Sequence, residues 1–259
     1  MRLIDTHSHL FLEEFSEDLP QVIERARSAG VTHIFMPNID STTIDSMLSV
    51  CNTYNDYCFP MIGLHPTSVN ADYEKELEIV ARELRSFNKY IAIGEVGMDL
   101  YWDKTFLKEQ QIVLDKQINW ALEYDLPVVI HCRDAFGYIY NVLEPYKNTS
   151  LKGVFHSFTG TDDEAARILE FSGFLIGING VVTFKKSRLP EVLTKIPLEK
   201  IVLETDSPYL TPVHNRGKRN ERADVKETLM KVSDIYRMSP EAVGRVTSEN
   251  ALKVFGMLK

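Results

Sequence analysis

Leu3-Ile4-Asp5-Thr6-His7-Ser8-His9 opens the 259-residue chain with a short apolar run that leads into two histidines. In a strand, residues two apart face the same side, so both imidazoles project together. The pattern recurs along the chain. Ile91-Ala92-Ile93-Gly94 is followed by Glu95, Val128-Val129-Ile130 by His131, Gly153-Val154-Phe155 by His156, and Ile201-Val202-Leu203-Glu204-Thr205 by Asp206. Imidazole and carboxylate are metal-binding groups. Taken singly, each residue has a plainer reading: an incidental His-x-His pair, a hydrogen-bonded core histidine, a buried ion pair for Glu95, a helix cap for Asp206. Their shared position at strand ends favours one common site.

Eight candidate strands are read from the sequence: Leu3–Thr6, His33–Pro37, Phe59–Leu64, Tyr90–Gly94, Pro127–Ile130, Gly153–Phe155, Phe174–Ile178 and Ile201–Thr205. Most are short and apolar, as parallel strands covered on both faces should be. Helical stretches separate them, including Pro20–Ala29 stopped by Gly30, Thr105–Tyr124, and Asp162–Phe171 capped by Thr161 and closed by Gly173. Asp224–Tyr236 and Ser239–Phe255 read as helices that end the chain. Such alternation yields either an open doubly wound sheet or a closed barrel. Candidate ligands follow strands one, four, five, six and eight, and only closure makes the first and last neighbours of the rest. The expected fold is α/β, one (β/α)8 TIM barrel over residues 1–259, without linker, internal repeat or low-complexity tract.

Strand parity refines the expectation. Glu95 shares a face with Ile91 and Ile93, which should point into the barrel, and His131 shares one with Arg133. Cys132 has the opposite parity and is excluded as a ligand. Asp99, Glu204 and Arg133 are expected either to support the ligands or to contact substrate. His33 begins a strand and should lie at the opposite, stability-determining end of the barrel.

The chain is 44% apolar and 25% charged, an ordinary globular composition. No run approaches the roughly 20 apolar residues of a membrane span. Net charge is −8, which argues against wrapping duplex DNA by charge alone. A polyanionic substrate then requires locally concentrated positive charge, such as bound metals supply. Cys51, Cys58 and Cys132 are odd in number and irregularly spaced, so they read as free thiols of a reducing compartment. A candidate ligand already at position 7 leaves no room for a cleavable leader. Both points lead to the expectation of a cytoplasmic protein.

The most basic segment is His214-Asn215-Arg216-Gly217-Lys218-Arg219-Asn220, directly after the last strand, where barrels often bind phosphate. Arg216 and Arg219 are expected to grip substrate phosphate, the alternative being a solvated charged loop. Arg133 is a further candidate for substrate contact, and His65, in Gly63-Leu64-His65-Pro66, reads as a substrate-phosphate contact, a hydrogen-bond donor supporting a ligand, or simply a turn histidine before proline. Tyr101, Trp102 and Phe158 read either as packing or as base-stacking groups.

Seven ordered motifs carry a resemblance: Asp5-Thr6-His7-Ser8-His9-Leu10, Gly63-Leu64-His65-Pro66, Gly94-Glu95-Val96-Gly97-Met98-Asp99, His131-Cys132-Arg133-Asp134-Ala135, Phe155-His156-Ser157-Phe158-Thr159-Gly160, Leu203-Glu204-Thr205-Asp206-Ser207-Pro208-Tyr209 and Arg216-Gly217-Lys218-Arg219-Asn220-Glu221. Across nearly its whole length the chain resembles the TatD family of metal-dependent deoxyribonucleases, within the amidohydrolase-like barrels. The resemblance implies that His7, His9 and Asp206 hold one ion, that Glu95 bridges, and that His131 and His156 hold a second. Met98 stands where the family usually has leucine, and Arg222 follows Glu221 where proline is frequent.

The implied activity is 3′-5′ exonucleolytic hydrolysis of DNA with a preference for single strands, so a nucleic-acid substrate and no membrane partner are expected. Some family members are linked to D-aminoacyl-tRNA deacylation. A barrel hydrolase of an ester or amide is therefore the alternative, and a metal-binding scaffold a third reading. The cofactors expected are two divalent ions, Mg, Zn or Mn; imidazole favours the transition metals, whereas the family's activity is described with Mg. Ions roughly 3.5–4 Å apart lower the pKa of a shared water from about 15.7 towards ~7. The hydroxide formed would attack phosphorus, with Glu95 and Asp206 as the catalytic carboxylates and Asp206 taking the proton.

Overall fold

Parallel strands alternate with helices in chain order in the computed structural model, which describes residues 2–86, 89–217 and 219–257 and, at Arg222, the backbone alone. Lys218 of the basic loop lies outside the described residues. The strands are β1 Leu3–Asp5, β2 Val31–Pro37, β3 Cys58–Met61, β4 Ile93–Asp99, β5 Val128–Arg133, β6 Lys152–Phe155, β7 Gly173–Ile178 and β8 Ile201–Leu203. The helices are α1 Leu19–Ser28, α2 Ile44–Thr53, α3 Tyr73–Ser86, α4 Leu107–Glu123, α5 Phe136–Leu143, α6 Asp162–Leu169, α7 Leu189–Leu193, α8 Val225–Tyr236 and α9 Pro240–Val254.

Strands β1 to β3 and β4 to β8 form two hydrogen-bonded sets. Parallel bridges at Ile62–Ile93 and Ser8–Ser207 join the sets at both seams. At one seam Ile62 N donates to Ala92 O and Gly94 N to Ile62 O; at the other Thr6 N donates to Leu203 O and Asp206 N to His7 O. The sheet therefore closes on itself, and the expected (β/α)8 barrel is the observed fold.

Two apolar layers follow from alternation along the strands. Ile4, Phe35, Met61, Ala92, Val129, Val154, Leu175 and Val202, one from each stave of the barrel, pack together inside its lower half. Phe255 at the end of α9 completes this layer, its ring 4.5 Å from that of Phe35. The outward residues, such as Ile34, Met36, Val128 and Ile130, pack under helices such as α1 through Val22, Ile23 and Ala26.

Local signals behave as their chemistry dictates. After α1 the chain turns at Gly30, whose φ of 92° suits glycine. Thr161 and Glu164 form a reciprocal capping box that starts α6, and Ser239 Oγ caps α9 ahead of Pro240. Among the described residues no helix is long and apolar enough to cross a membrane.

The parity expectation for Glu95 fails, although Glu95 does point inward. Ile93 and Val96 both pack in the outer layer, while Ala92 lies inside. The pairing of β4 with β5 is irregular between Ile93 and Val96, and this extra residue reverses the alternation. Strand β4 consequently continues through Glu95 to Asp99 instead of stopping at Gly94.

Candidate metal centre

Strand tops bring His7, His9, Glu95, His131, His156 and Asp206 together. Glu95 lies at the centre, almost fully buried. Its Oε2 is 3.0 Å from His7 Nε2 and 3.6 Å from His9 Nε2. Its Oε1 is 2.8 Å from His156 Nε2, 2.9 Å from His131 Nδ1 and 3.3 Å from His65 Nε2. The two oxygens thus face two separate sets of imidazoles. Asp206 Oδ1 completes the first side, 3.9 Å from His7 Nε2 and 3.8 Å from His9 Nε2. Potential ligand atoms group within 4.8 Å of one another as His7, His9 and Glu95; as His7, His156 and Asp206; and as His65, Glu95 and His131. His65, expected to contact substrate or to support a ligand as a hydrogen-bond donor, therefore lies within the ligand cluster itself.

The backbone holds these groups by unusual conformations and buried hydrogen bonds. Asp134, Ser157 and Asp206, which follow β5, β6 and β8, adopt left-handed φ values of 52°, 48° and 58°. Non-glycine residues in this region carry local strain, which tends to collect at functional sites. Asp206 N donates to His7 O, His9 N to Ser207 O and His156 N to Ile130 O. Asp99 Oδ2 contacts His131 Nε2 at 2.9 Å. Glu204 is fully buried, accepts a hydrogen bond from Ser157 N, and lies 3.6 Å from His156 Nδ1. Space for that carboxylate exists because residue 177 is glycine: a Cβ there would come within 2.5 Å of it.

Buried glutamines, not anticipated from the sequence, hold two strand tops. Gln117 of α4 accepts from Leu64 N and donates to Leu64 O; Gln110, two turns earlier, does the same for Asp99. In sequence they look like polar positions of an amphipathic helix, and only their spacing of seven places them on one face.

The donor set fits divalent cations. Burial drives the pKa of His7 well below its usual value, helped by the neighbouring His156, and takes His9 down to about 4. His65 is lowered by the same desolvation. Neutral imidazoles are the form that donates a lone pair to a metal. Burial also opposes charge on His131, but hydrogen bonds to Asp99 and Glu95 outweigh it and the net shift is upward. His156 is likewise opposed by burial and raised overall by Glu95 and Glu204. For Glu95, burial favours the neutral acid, yet the surrounding histidines together hold it well below the usual carboxylate range. Desolvation pushes Asp206 up to about 7, a cost that an adjacent cation would offset. His156 Nε2, though close to Glu95, lies outside hydrogen-bond geometry, so neither of its buried ring nitrogens has a hydrogen-bond partner. A buried, unsatisfied imidazole is costly unless a further group takes its lone pair.

The cluster forms the floor of an open cleft of about 750 Å³. Its walls include Asp99, Trp102, Arg133, Thr159, Tyr209 and Leu210. Arg133 is thus where substrate contact was expected. Cys132 lines the wall but is not among the ligand groups, and burial pushes its thiol up to about 12. The basic loop differs from expectation. Neither Arg216 nor Arg219 lines the cleft. Arg216 packs over the Phe184 ring at 5.6 Å. Arg219 pairs with Asp18 at 2.8 Å and Glu221 at 2.9 Å, donates to Glu14 O, and covers the Phe15 ring. Two carboxylates on elements flanking the loop out-compete solvent for its guanidinium, so it fastens the loop to the chain before α1.

The chain is similar to known metal-dependent hydrolases. The family described as TatD related DNase matches residues 4–256. The chain is 36% identical over 254 residues to the metal-dependent hydrolase YabD of Bacillus subtilis, covering 98% of each protein. It is 31% identical over 262 residues to the 3′-5′ ssDNA/RNA exonuclease TatD of Pantoea ananatis, covering 99% of this chain and all of that one. Among solved structures, the Escherichia coli TatD homologue YjjV superposes with a TM-score of 0.92 at 29% identity, covering 98% of both chains. A TatD family hydrolase from Entamoeba histolytica, 22% identical, shares the fold with a TM-score of 0.83 over 100% of this chain and 99% of that one. The chain therefore belongs to the TatD family of metal-dependent hydrolases.

Proposed function

We propose that the protein is a phosphodiesterase that removes nucleotides from the 3′ end of single-stranded DNA, using two divalent cations. The observation that carries this reading is the division of Glu95, with Oε2 turned to His7 and His9 and Oε1 to His131 and His156. A carboxylate so placed suits a bridge between two cations. His7, His9 and Asp206 would hold one, His131 and His156 the other. The name of the Pantoea ananatis relative supports the substrate class.

Two bound cations supply Lewis acidity towards phosphoryl oxygens and make water acidic enough to ionise near neutral pH. Asp206 orients the attacking water and takes its proton at the carboxylate. Asp99 fixes the ring of His131 by a hydrogen bond, and Glu204 sets its negative charge 3.6 Å from His156 Nδ1. Arg133, exposed on the cleft wall, pairs with a substrate phosphate.

A second reading is hydrolysis of an ester such as D-aminoacyl-tRNA, since cations held by the same ligand cluster would polarise a carbonyl as well as a phosphoryl group. Incubation with Mg, Mn or Zn of a 5′-labelled single strand, beside a D-aminoacyl-tRNA, separates the two. Progressive shortening of the labelled strand supports the nuclease. Ester cleavage with an intact strand transfers the assignment to the second reading.

A further inference from the structure

Trp102 is 74% exposed, the greatest exposure among the described large hydrophobic side chains. Leaving an indole in water forfeits the burial that usually fixes such a residue. It also lines the cleft, in company with Glu95, His131 and Arg133. Tyr101 stands beside it, ring edge to ring face at 4.8 Å between centroids, and is itself 53% exposed. The Arg133 guanidinium lies 3.9 Å from the centre of the Tyr101 ring and 5.4 Å from that of Trp102.

This arrangement is tied to the metal centre through its base. Asp99, whose Oδ2 contacts His131, accepts the Tyr101 N–H on Oδ1. Leu100 N donates to Arg133 O, and Asp99 pairs in register with Arg133 across β4 and β5. The aromatic pair is therefore positioned by the same residue that holds a candidate ligand.

We propose that Tyr101, Trp102 and Arg133 form a stacking shelf that receives the base of a nucleotide flanking the scissile phosphate. An exposed indole face offers a base the sequence-tolerant contact that single-strand binders use, and an adjacent guanidinium adds attraction to ring and phosphate. Only an unpaired base is free to leave its own stack and occupy such a face, so the shelf selects single strands. The proposal rests on the nuclease reading of the same site and adds to it the group that recognises an unpaired strand.

The chain has two tryptophans, Trp102 and Trp120, so a Trp120→Phe enzyme reports on Trp102 alone. The metal-loaded variant is titrated with a nuclease-resistant phosphorothioate single strand, and with the same strand carrying abasic sites. Quenching of Trp102 emission by the base-bearing strand only is expected. In the wild-type background Trp102→Ala should raise KM for single-stranded DNA about tenfold with little change in kcat, and Trp102→Phe should recover most of the loss. Hydrolysis of ordinary single strands by Trp120→Phe without any quench, or an unchanged KM in Trp102→Ala, overturns the shelf and leaves the nuclease reading standing. Base-dependent quench without hydrolysis supports the shelf and counts against the nuclease. Absence of both overturns the two together.

Discussion

The rings of His7 and His156 lie face to face, 3.7 Å between centroids and 12° apart in plane. One belongs to each proposed cation site, so the two sites are in direct contact. Burial and His156 hold His7 well below its usual pKa, while nearby carboxylates hold His156 above its own despite burial. A stacked pair of this kind accommodates one proton, not two.

Cation loading should therefore displace protons. Glu95 and Glu204 raise the pKa of His156 in the ion-free protein despite burial, which favours its protonated form, and any proton it carries must leave before the ring can donate a lone pair. Titration of the ion-free protein with Zn or Mn in buffers of different ionisation enthalpy should give buffer-dependent heats with net proton release. Apparent affinity should rise from pH 5.5 to 7.5, and identical heats in all buffers would contradict the coupling.

Asp206→Asn keeps the side-chain shape but removes the proton acceptor. Turnover on single-stranded DNA should fall by about 10²–10⁴-fold. Circular dichroism should stay that of the wild type. Full activity in this variant would exclude Asp206 from the chemistry.

Gln117→Ala strips Leu64 of both its backbone partners in a buried setting. Leaving such groups unsatisfied costs about 1–3 kcal/mol each. The urea midpoint should drop accordingly with an unchanged m-value, and a midpoint within error of the wild type would show that water replaces the amide.

The Arg219 cluster predicts a pH-dependent contribution to stability. Hydrogen bonding to Arg219 lowers the pKa of Asp18; in Glu221, burial acts in the opposite direction but the contacts with Arg25 and Arg219 lower it overall. Both acids ionise more readily in the fold than in the unfolded chain, where values of about 3.9 and 4.3 apply. Their pairing thus stabilises the fold above those values and is lost as pH falls through the lower, folded ones. Arg219→Gln should lower Tm at pH 7, and the gap from wild type should shrink below pH 4. Because the cluster is partly exposed, salt should shrink it too. A gap constant across this range would reject the ion pairs as its source.

Much of the site was legible because parallel strands are short apolar runs, and the residues after them share one end of a barrel. His131 and His156 follow directly from that rule. Glu95 followed from it for an incorrect reason, since a register irregularity invisible in Ile91-Ala92-Ile93-Gly94 reverses the alternation. Gln110 and Gln117 were hidden because a helix face records which residues are polar, not that a strand end needs a partner there. Arg219 misled because its charge was visible in sequence while Asp18, some two hundred residues earlier, was not visible as its neighbour.

Phe255 and the ring of residues above it make the barrel a cup with a solid bottom. A polymer cannot be threaded through such a vessel. Whatever reaches Glu95 must come in through the open cleft above it, and under the proposed nuclease reading each released nucleotide leaves by that same mouth.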